Sequence, residues 1–280
     1  MPIRRGAYVE RSVFDAMTPE DLHRAKVHAV VHSLERPAVV SHASAAVMRD
    51  LPTYGLDLSL VHVSRADLHS PRIEGGVHHH AGEVRTEDVE VIDGVVVTAA
   101  PRTVIDVARD ADFEPSVIVA DAAFSRDPAA PAATLNRLDD MRNWPGSINA
   151  GRVVEFADGR SQSVGESRSR VAIHVVGLPA PELQAVIQTP DGRFVAQTDF
   201  HFVEQRTIGE FDGRQKYGRL LKPGEDPGDV VWREKQREDR LRSLGFEVVR
   251  IIWADLARPG EIRARFLAAF ARAARRGSAA

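Results

Sequence analysis

The chain has 280 residues, 43% of them hydrophobic, which is enough for two buried cores, and its 37 Lys and Arg set against 40 Asp and Glu leave a formal net charge of -3. That balance excludes a globally basic polyanion binder, so any DNA contact must come from a local patch. The absence of cysteine excludes disulfides, thiolate metal sites and a cysteine nucleophile, and with no apolar run of about 18 residues and no signal pattern the chain reads as cytoplasmic, without a membrane segment.

Met1 to Val9 reads as a basic strand entered without a preceding cap, turn or helix. Thr18 as cap, Pro19 at the first helical position and Asp21 in the first turn predict a helix from Pro19 to Leu34, with Leu22, Ala25, Ala29 and Val30-Val31 as its buried stripe. Val39 to Met48 is a second helical segment, with Ser41 as cap. Short strands are predicted at 61–63, 76–80, 89–92 and 95–98, the last two joined at Asp93-Gly94, a strong hairpin signal. Helices at 101–109 and 117–124 complete a small α+β domain spanning residues 1–128. Within it, His78-His79-His80 fall on a strand; neighbours there point to opposite faces, so the three cannot all face one ion, and a strand with polar edges is the preferred reading. Residues 129–160 begin rich in Ala, Pro and Asp, with a helical stretch at 135–141, and read as a linker or bridging helix.

The second half opens with a helix from Ser163 to Val176, where Ser163 and Glu166 form an S-x-x-E capping box. Strands follow at 183–188, from Arg193 onward, and at 204–212, the first two joined by the turn Thr189-Pro190-Asp191-Gly192. Gly218 to Asp229 lacks periodicity and reads as a loop. A charged helix from Val231 to Leu244, stopped by Gly245, leads to a largely buried strand at 246–253 and a C-terminal helix at 261–275.

Three acids of this second half, Asp199, Glu210 and Asp212, carry the functional reading. If their two strands pair as an antiparallel hairpin, Asp199 lies near Glu210. Two carboxylates about 4 Å apart repel by roughly 4 kcal/mol at an effective dielectric near 20, so such a pair needs a cation, a proton or an arginine. Oxygen donors alone suit Mg²⁺ or Mn²⁺, which activate water and stabilise charge on a phosphoryl oxygen, with Lys216 placing a positive charge against the same phosphate. Arg168, Arg170, Lys235 and Arg240 are candidate phosphate contacts. The competing reading makes the acids solvated outer-face residues and Asp212-Gly213 an ordinary turn.

Ser163 to Arg170, Gly177-Leu178-Pro179, Gln184, Thr198-Asp199-Phe200, Gly209 to Gly213, Lys216-Tyr217, Glu234-Lys235, Arg237 to Leu241, Leu244-Gly245 and Val249-Arg250 to Trp253 resemble the very-short-patch-repair-like (Vsr-like) branch of the PD-(D/E)XK nucleases. The likeness is to an uncharacterised actinobacterial family of that branch. The resemblance implies a restriction-endonuclease-like α/β domain over residues 161–280, with an α-β-β-β-α-β core and a mixed sheet. It further implies that Glu166, Asp199 and Glu210 hold Mg²⁺ or Mn²⁺ beside DNA, with Asp212 assisting. The chain departs from the pattern at Glu210-Phe211-Asp212, where Glu-x-Lys is usual, and Lys216 or Lys235 is the replacement. Arg4-Arg5-Gly6-Ala7-Tyr8, Ser41 to Ala46 and Thr98 to Asp106 resemble the AbiEi family of type IV antitoxins. That likeness implies an N-terminal winged helix-turn-helix truncated here and a cognate toxin or other defence partner. The expected function is a metal-dependent DNA endonuclease, in phage defence or a toxin-antitoxin-like system; the alternative is a non-catalytic DNA-binding or antitoxin-like regulator on the same scaffold.

Overall fold

Arg4, Arg5 and Gly6 turn the chain back on itself at its start. β1 (Pro2–Arg4) and β2 (Ala7–Tyr8) pair antiparallel around Gly6, whose φ is +81°, so the basic strand expected here is a small hairpin. The computed structural model describes residues 1–213 and 227–277, and the chain divides into two units, 1–159 and 160–280.

In the first unit, α1 (Arg11–Ala16) precedes α2 (Pro19–Ser33). Thr18 and Asp21 cap α2 reciprocally: the Thr18 hydroxyl accepts from the Asp21 amide at 3.1 Å, and the Asp21 carboxylate from the Thr18 amide at 3.0 Å. Of the expected stripe Val30 is buried, while Leu22, Ala25, Ala29 and Val31 are only half-buried, and His23 and Val27 join Val30 in the core. A histidine takes the core position because both its ring nitrogens are satisfied, by the Leu58 carbonyl and the Ser44 hydroxyl; apolar periodicity cannot foresee that.

β3 (Val39–Val40) and α3 (His42–Met48) replace the single helix expected from Val39. With β4 (Val61–Arg65), β5 (Arg72–Glu74), β6 (Val77–Ala81), β7 (Val89–Ile92) and β8 (Val95–Thr98), β3 forms a six-stranded mixed sheet ordered β5-β6-β4-β3-β8-β7. Asp93 and Gly94 both have positive φ, +50° and +77°, the geometry a two-residue hairpin turn requires. Val27, Val40, Met48, Val63 and Val97 centre the core against α2 and α3.

α4 (Ala100–Asp110) and α5 (Phe113–Arg126) follow, then α6 (Ala130–Asp140) and α7 (Ser147–Phe156). Residues 129–160 are therefore not a linker or a lone bridging helix. α6 and α7 bury Ala130, Leu138, Ala150 and Val153, and Arg137 on α6 gives the Asp88 carboxylate two bonds of 2.7 Å while Arg102 on α4 adds one of 3.0 Å. An Ala-rich composition reads as linker only until its helices find a buried face.

The second unit runs α8 (Val164–Val175), β9 (Glu182–Gln188), β10 (Phe194–Phe202), β11 (Thr207–Asp212), α9 (Pro227–Ser243), β12 (Glu247–Ile252) and α10 (Pro259–Gly277). β9, β10 and β11 are antiparallel neighbours, and β12 lies parallel to β11, giving a mixed sheet ordered β12-β11-β10-β9. Phe200, Phe202, Phe211 and Ile251 pack with Ile173 of α8 and Phe266 of α10, while Val195 and Ile208 pack with Leu241 of α9. α8 meets β11 at Gly165, where a Cβ would lie 1.9 Å from the Phe211 ring; only glycine allows that approach. Lys216 and most of the loop expected at 218–229 lie outside the described residues, and 227–229 begin α9. Among the described residues no helix is long and apolar enough to cross a membrane.

Candidate functional site

Hairpin register brings Asp199 and Glu210 together. β10 and β11 pair Phe202 with Thr207, His201 with Ile208 and Phe200 with Gly209; one step further on in that register, Asp199 faces Glu210. The ladder stops at that step, and Asp199 Oδ2 instead accepts the Phe211 backbone N–H at 2.8 Å. On β12, Arg250 is the partner of Glu210. On β9, Ala185 pairs with Thr198 and Leu183 with Phe200, so Gln184 falls opposite Asp199. Gln184, Asp199, Glu210 and Arg250 thus form one row across the sheet.

Glu210 is buried and faces α9. Its Oε1 lies 2.7 Å from Arg237 Nη1 and its Oε2 accepts from Arg237 Nη2 at 2.9 Å, while Arg237 also donates to Glu234 at 3.0 Å. The first contact is close but misaligned, leaving Glu210 Oε1 and Arg237 Nε without a hydrogen-bond partner among the described residues. Burial pushes the Glu210 carboxyl above its ordinary value; Arg237 opposes the shift and the Asp199 charge adds to it. Burial works against the Arg237 charge, but Glu210 and Glu234 outweigh it and raise its pKa. Sequence reasoning gave Arg237 no role, because its meeting with Glu210 depends on how α9 crosses the sheet.

Glu166 is drawn toward this row through a neighbour. The Ser163 hydroxyl accepts from the Glu166 amide at 3.2 Å, which is the expected cap, but the returning carboxylate takes the Ser163 hydroxyl at 2.8 Å and the Gln162 amide at 2.9 Å in place of the Ser163 amide. Gln184 Nε2 donates to the same carboxylate at 3.0 Å. Gln184 does so from a left-handed backbone, φ +52°, a conformation costing a non-glycine residue on the order of 1–3 kcal/mol. The expectation that Glu166, Asp199 and Glu210 meet at one ion is not met in this arrangement. Among the described residues, the one group of three ligating side chains with donor atoms within 4.8 Å of one another is a histidine group. The carboxylates fall short of it because Glu166 is held by its own helix start and by Gln184.

The remaining expected residues are spread out. Asp212 is half-buried at the end of β11, on the Glu210 face by strand alternation. Arg168 lies over the Trp253 ring at 5.8 Å. Arg170 is 7% exposed, too buried to serve as a surface phosphate contact, since it faces inward from α8. Lys235 and Arg240 are exposed on α9.

The histidine group is His42, His62 and His80, from α3, β4 and β6. Alternation does separate His79 from His78 and His80, as expected, but His80 finds its companions on other elements. His62 Nδ1 and His80 Nε2 lie 2.9 Å apart. The His80 ring is stacked between those of His42 and His78, at 3.6 and 3.8 Å. His42 sits at φ +52°, and its Nδ1 contacts Ser41 Oγ at 2.9 Å. Burial lowers all three pKa values, His62 to about 4 and His80 to about 3, so the imidazoles are neutral near pH 7.

Two Mycobacterium tuberculosis proteins, "Uncharacterized protein Rv2248" (strain H37Rv) and "Uncharacterized protein MT2308" (strain CDC 1551), are each 28% identical to this chain over 229 residues, 80% of this chain and 80% of their own length. Because 229 residues exceed either unit alone, the similarity runs across both. No family model matches the chain, and no solved structure does.

Proposed function

We propose that residues 160–280 are a restriction-endonuclease-like unit that cleaves DNA phosphodiesters with a divalent cation, Asp199 and Glu210 being its cation-holding pair. The observation that carries this reading is the shared row of Asp199 and Glu210 at the point where the β10–β11 ladder stops. Support also comes from the order of helix, three antiparallel strands, helix and parallel strand.

The donor set fits a hard cation. Asp199 keeps one carboxylate oxygen beyond the bond to Phe211, and Glu210 Oε1 is a buried oxygen with no hydrogen bond among the described residues. Mg²⁺ is commonly held by only one or two carboxylates, with water and substrate phosphate completing its shell. When bound, such a cation stabilises charge developing on the phosphoryl oxygens and activates water. The chain's own groups do the rest: the Phe211 amide orients Asp199, Gln184 ties Glu166 to the row, and Asp212 extends the acid face. Arg237 supplies the positive charge that the third strand lacks.

The Glu210–Arg237 ion pair favours a second reading, in which arginine permanently neutralises the acid and the unit is a non-catalytic DNA-binding regulator. Calorimetric titration with Mn²⁺ separates the two. The nuclease reading expects saturable binding that Asp199→Asn abolishes. The regulator reading expects no Mn²⁺ binding together with DNA binding that weakens steeply with salt.

A further inference from the structure

We propose that His42, His62 and His80 in the first unit bind one divalent late transition ion of the zinc class. This inference stands independently of the nuclease reading, because it concerns other residues and a softer donor set. Three neutral imidazole nitrogens suit zinc, nickel or copper and not magnesium, and three protein nitrogens with one position left open is a recurrent zinc arrangement.

Five observations support it. One ring nitrogen from each histidine lies within 4.8 Å of the others. A tetrahedral zinc ion with bonds of about 2.0–2.1 Å to nitrogen holds its donors about 3.3–3.4 Å apart, so the histidine nitrogens need to close by at most about 1.5 Å to reach it. His62 Nδ1 and His80 Nε2 are already 2.9 Å apart, so a single shared proton occupies the line between them, and a cation would take that proton's place.

The outer shell is also in place. Ser41 Oγ lies 2.9 Å from His42 Nδ1 and is itself bonded by Ser64 Oγ at 2.9 Å, which fixes the His42 ring; partners of this kind orient metal-ligating histidines. The backbone at His42 holds a left-handed φ of +52° that brings its ring over His80, the sort of local strain that collects at functional sites.

A cavity of about 410 Å³ reaches the group, lined by His42, His80, Ser64, Arg102, Arg109 and Trp144 among others. It provides the entry path a metal site needs and leaves an open coordination side. Arg102 and Arg109 would repel a cation if bare, but Arg102 is paired with Asp88 at 3.0 Å and with Asp106 at 2.9 Å, and Arg109 with Asp106 at 3.5 Å.

The test uses full-length protein without a histidine tag, stripped with chelator, equilibrated with Zn²⁺ and passed through a desalting column before its metal content is measured. About one zinc per chain is expected for the wild type. His80→Gln is expected to lower retention by more than about tenfold, since loss of outer-shell partners alone costs about 10–100-fold in affinity. His78→Gln, which removes the stacked neighbour outside the group, is expected to retain the ion. Wild-type zinc at the buffer level, or equal zinc in a His42→Gln, His62→Gln, His80→Gln triple variant, overturns the proposal. If that variant does not fold, Co²⁺ loaded into the wild type decides: visible ligand-field bands of nitrogen-bound, low-coordinate cobalt support the site, and their absence overturns it.

Discussion

Arg237 Nη1 lies 2.7 Å from Glu210 Oε1, joining α9 to β11 across the face that also carries Asp199. The pair sets the role of the acid row, because Glu210 faces a fixed cation on one side and a second carboxylate on the other. Removing one partner of a buried pair leaves the other charge uncompensated. Arg237→Gln is expected to lower stability by about 1–3 kcal/mol, and Glu210→Gln by less, because a neutral amide keeps a hydrogen bond with Arg237. A double-mutant cycle by urea denaturation should give a coupling of roughly 0.5–3 kcal/mol; additive losses would place the two side chains apart in solution.

Gly165 is the point where α8 touches β11. A Cβ there would lie 1.9 Å from the Phe211 ring, and the Phe211 amide holds Asp199. Gly165→Ala is expected to cost about 1–3 kcal/mol through overpacking and to weaken Mn²⁺ binding at Asp199. An unchanged thermal midpoint would contradict the packing described.

Glu166 joins the start of α8 to Gln184. Glu166→Ala is expected to cost about 1 kcal/mol, the usual value of a lost helix-start bond. Gln184→Ala, which leaves the Ser163 cap intact, should cost less in stability but impair DNA cleavage. Equal loss of stability with full cleavage in the Gln184 variant would show the residue to be structural alone.

The first unit should be acid-sensitive. Burial lowers the His23 pKa, with the Leu58 carbonyl opposing the shift, and it lowers those of His62 and His80 further. The unfolded chain, with histidines near pH 6.5, therefore binds more protons than the folded one below that pH. Stability is full above about pH 6.5 and declines as the pH falls toward 4. For metal-free protein, the urea midpoint should be lower at pH 5 than at pH 7.5, and His23→Gln should shrink the difference. A midpoint that rises on acidification would contradict the burial of these rings.

Local signals in the sequence were reliable where the physics is local. Thr18 with Asp21, Asp93-Gly94 and the C-terminal Gly245 of α9 all act within a few residues of themselves, and each ends or starts the element it marks. The facing of Asp199 and Glu210 was only conditional in the sequence, which allowed a hairpin without fixing its register; the pairing of Phe200 with Gly209 sets it. What the sequence hid depends on distant contacts. Arg237 reaches Glu210 through a crossover helix, and Gln184 reaches Glu166 through an irregular strand. His80 meets His42 and His62 only when three elements assemble, and the run His78-His79-His80, considered by itself, drew attention to the wrong trio.

Cleavage of supercoiled plasmid in Mn²⁺ tests the central claim most directly, with wild-type protein beside Asp199→Asn and Glu210→Gln. The account predicts nicked and linear products from the wild type, none when EDTA replaces the cation, and rates at least about a hundredfold lower for both variants, as expected when groups stabilising the transition state are lost. Equal cleavage by all three proteins, or none by a wild type that binds Mn²⁺, would contradict it.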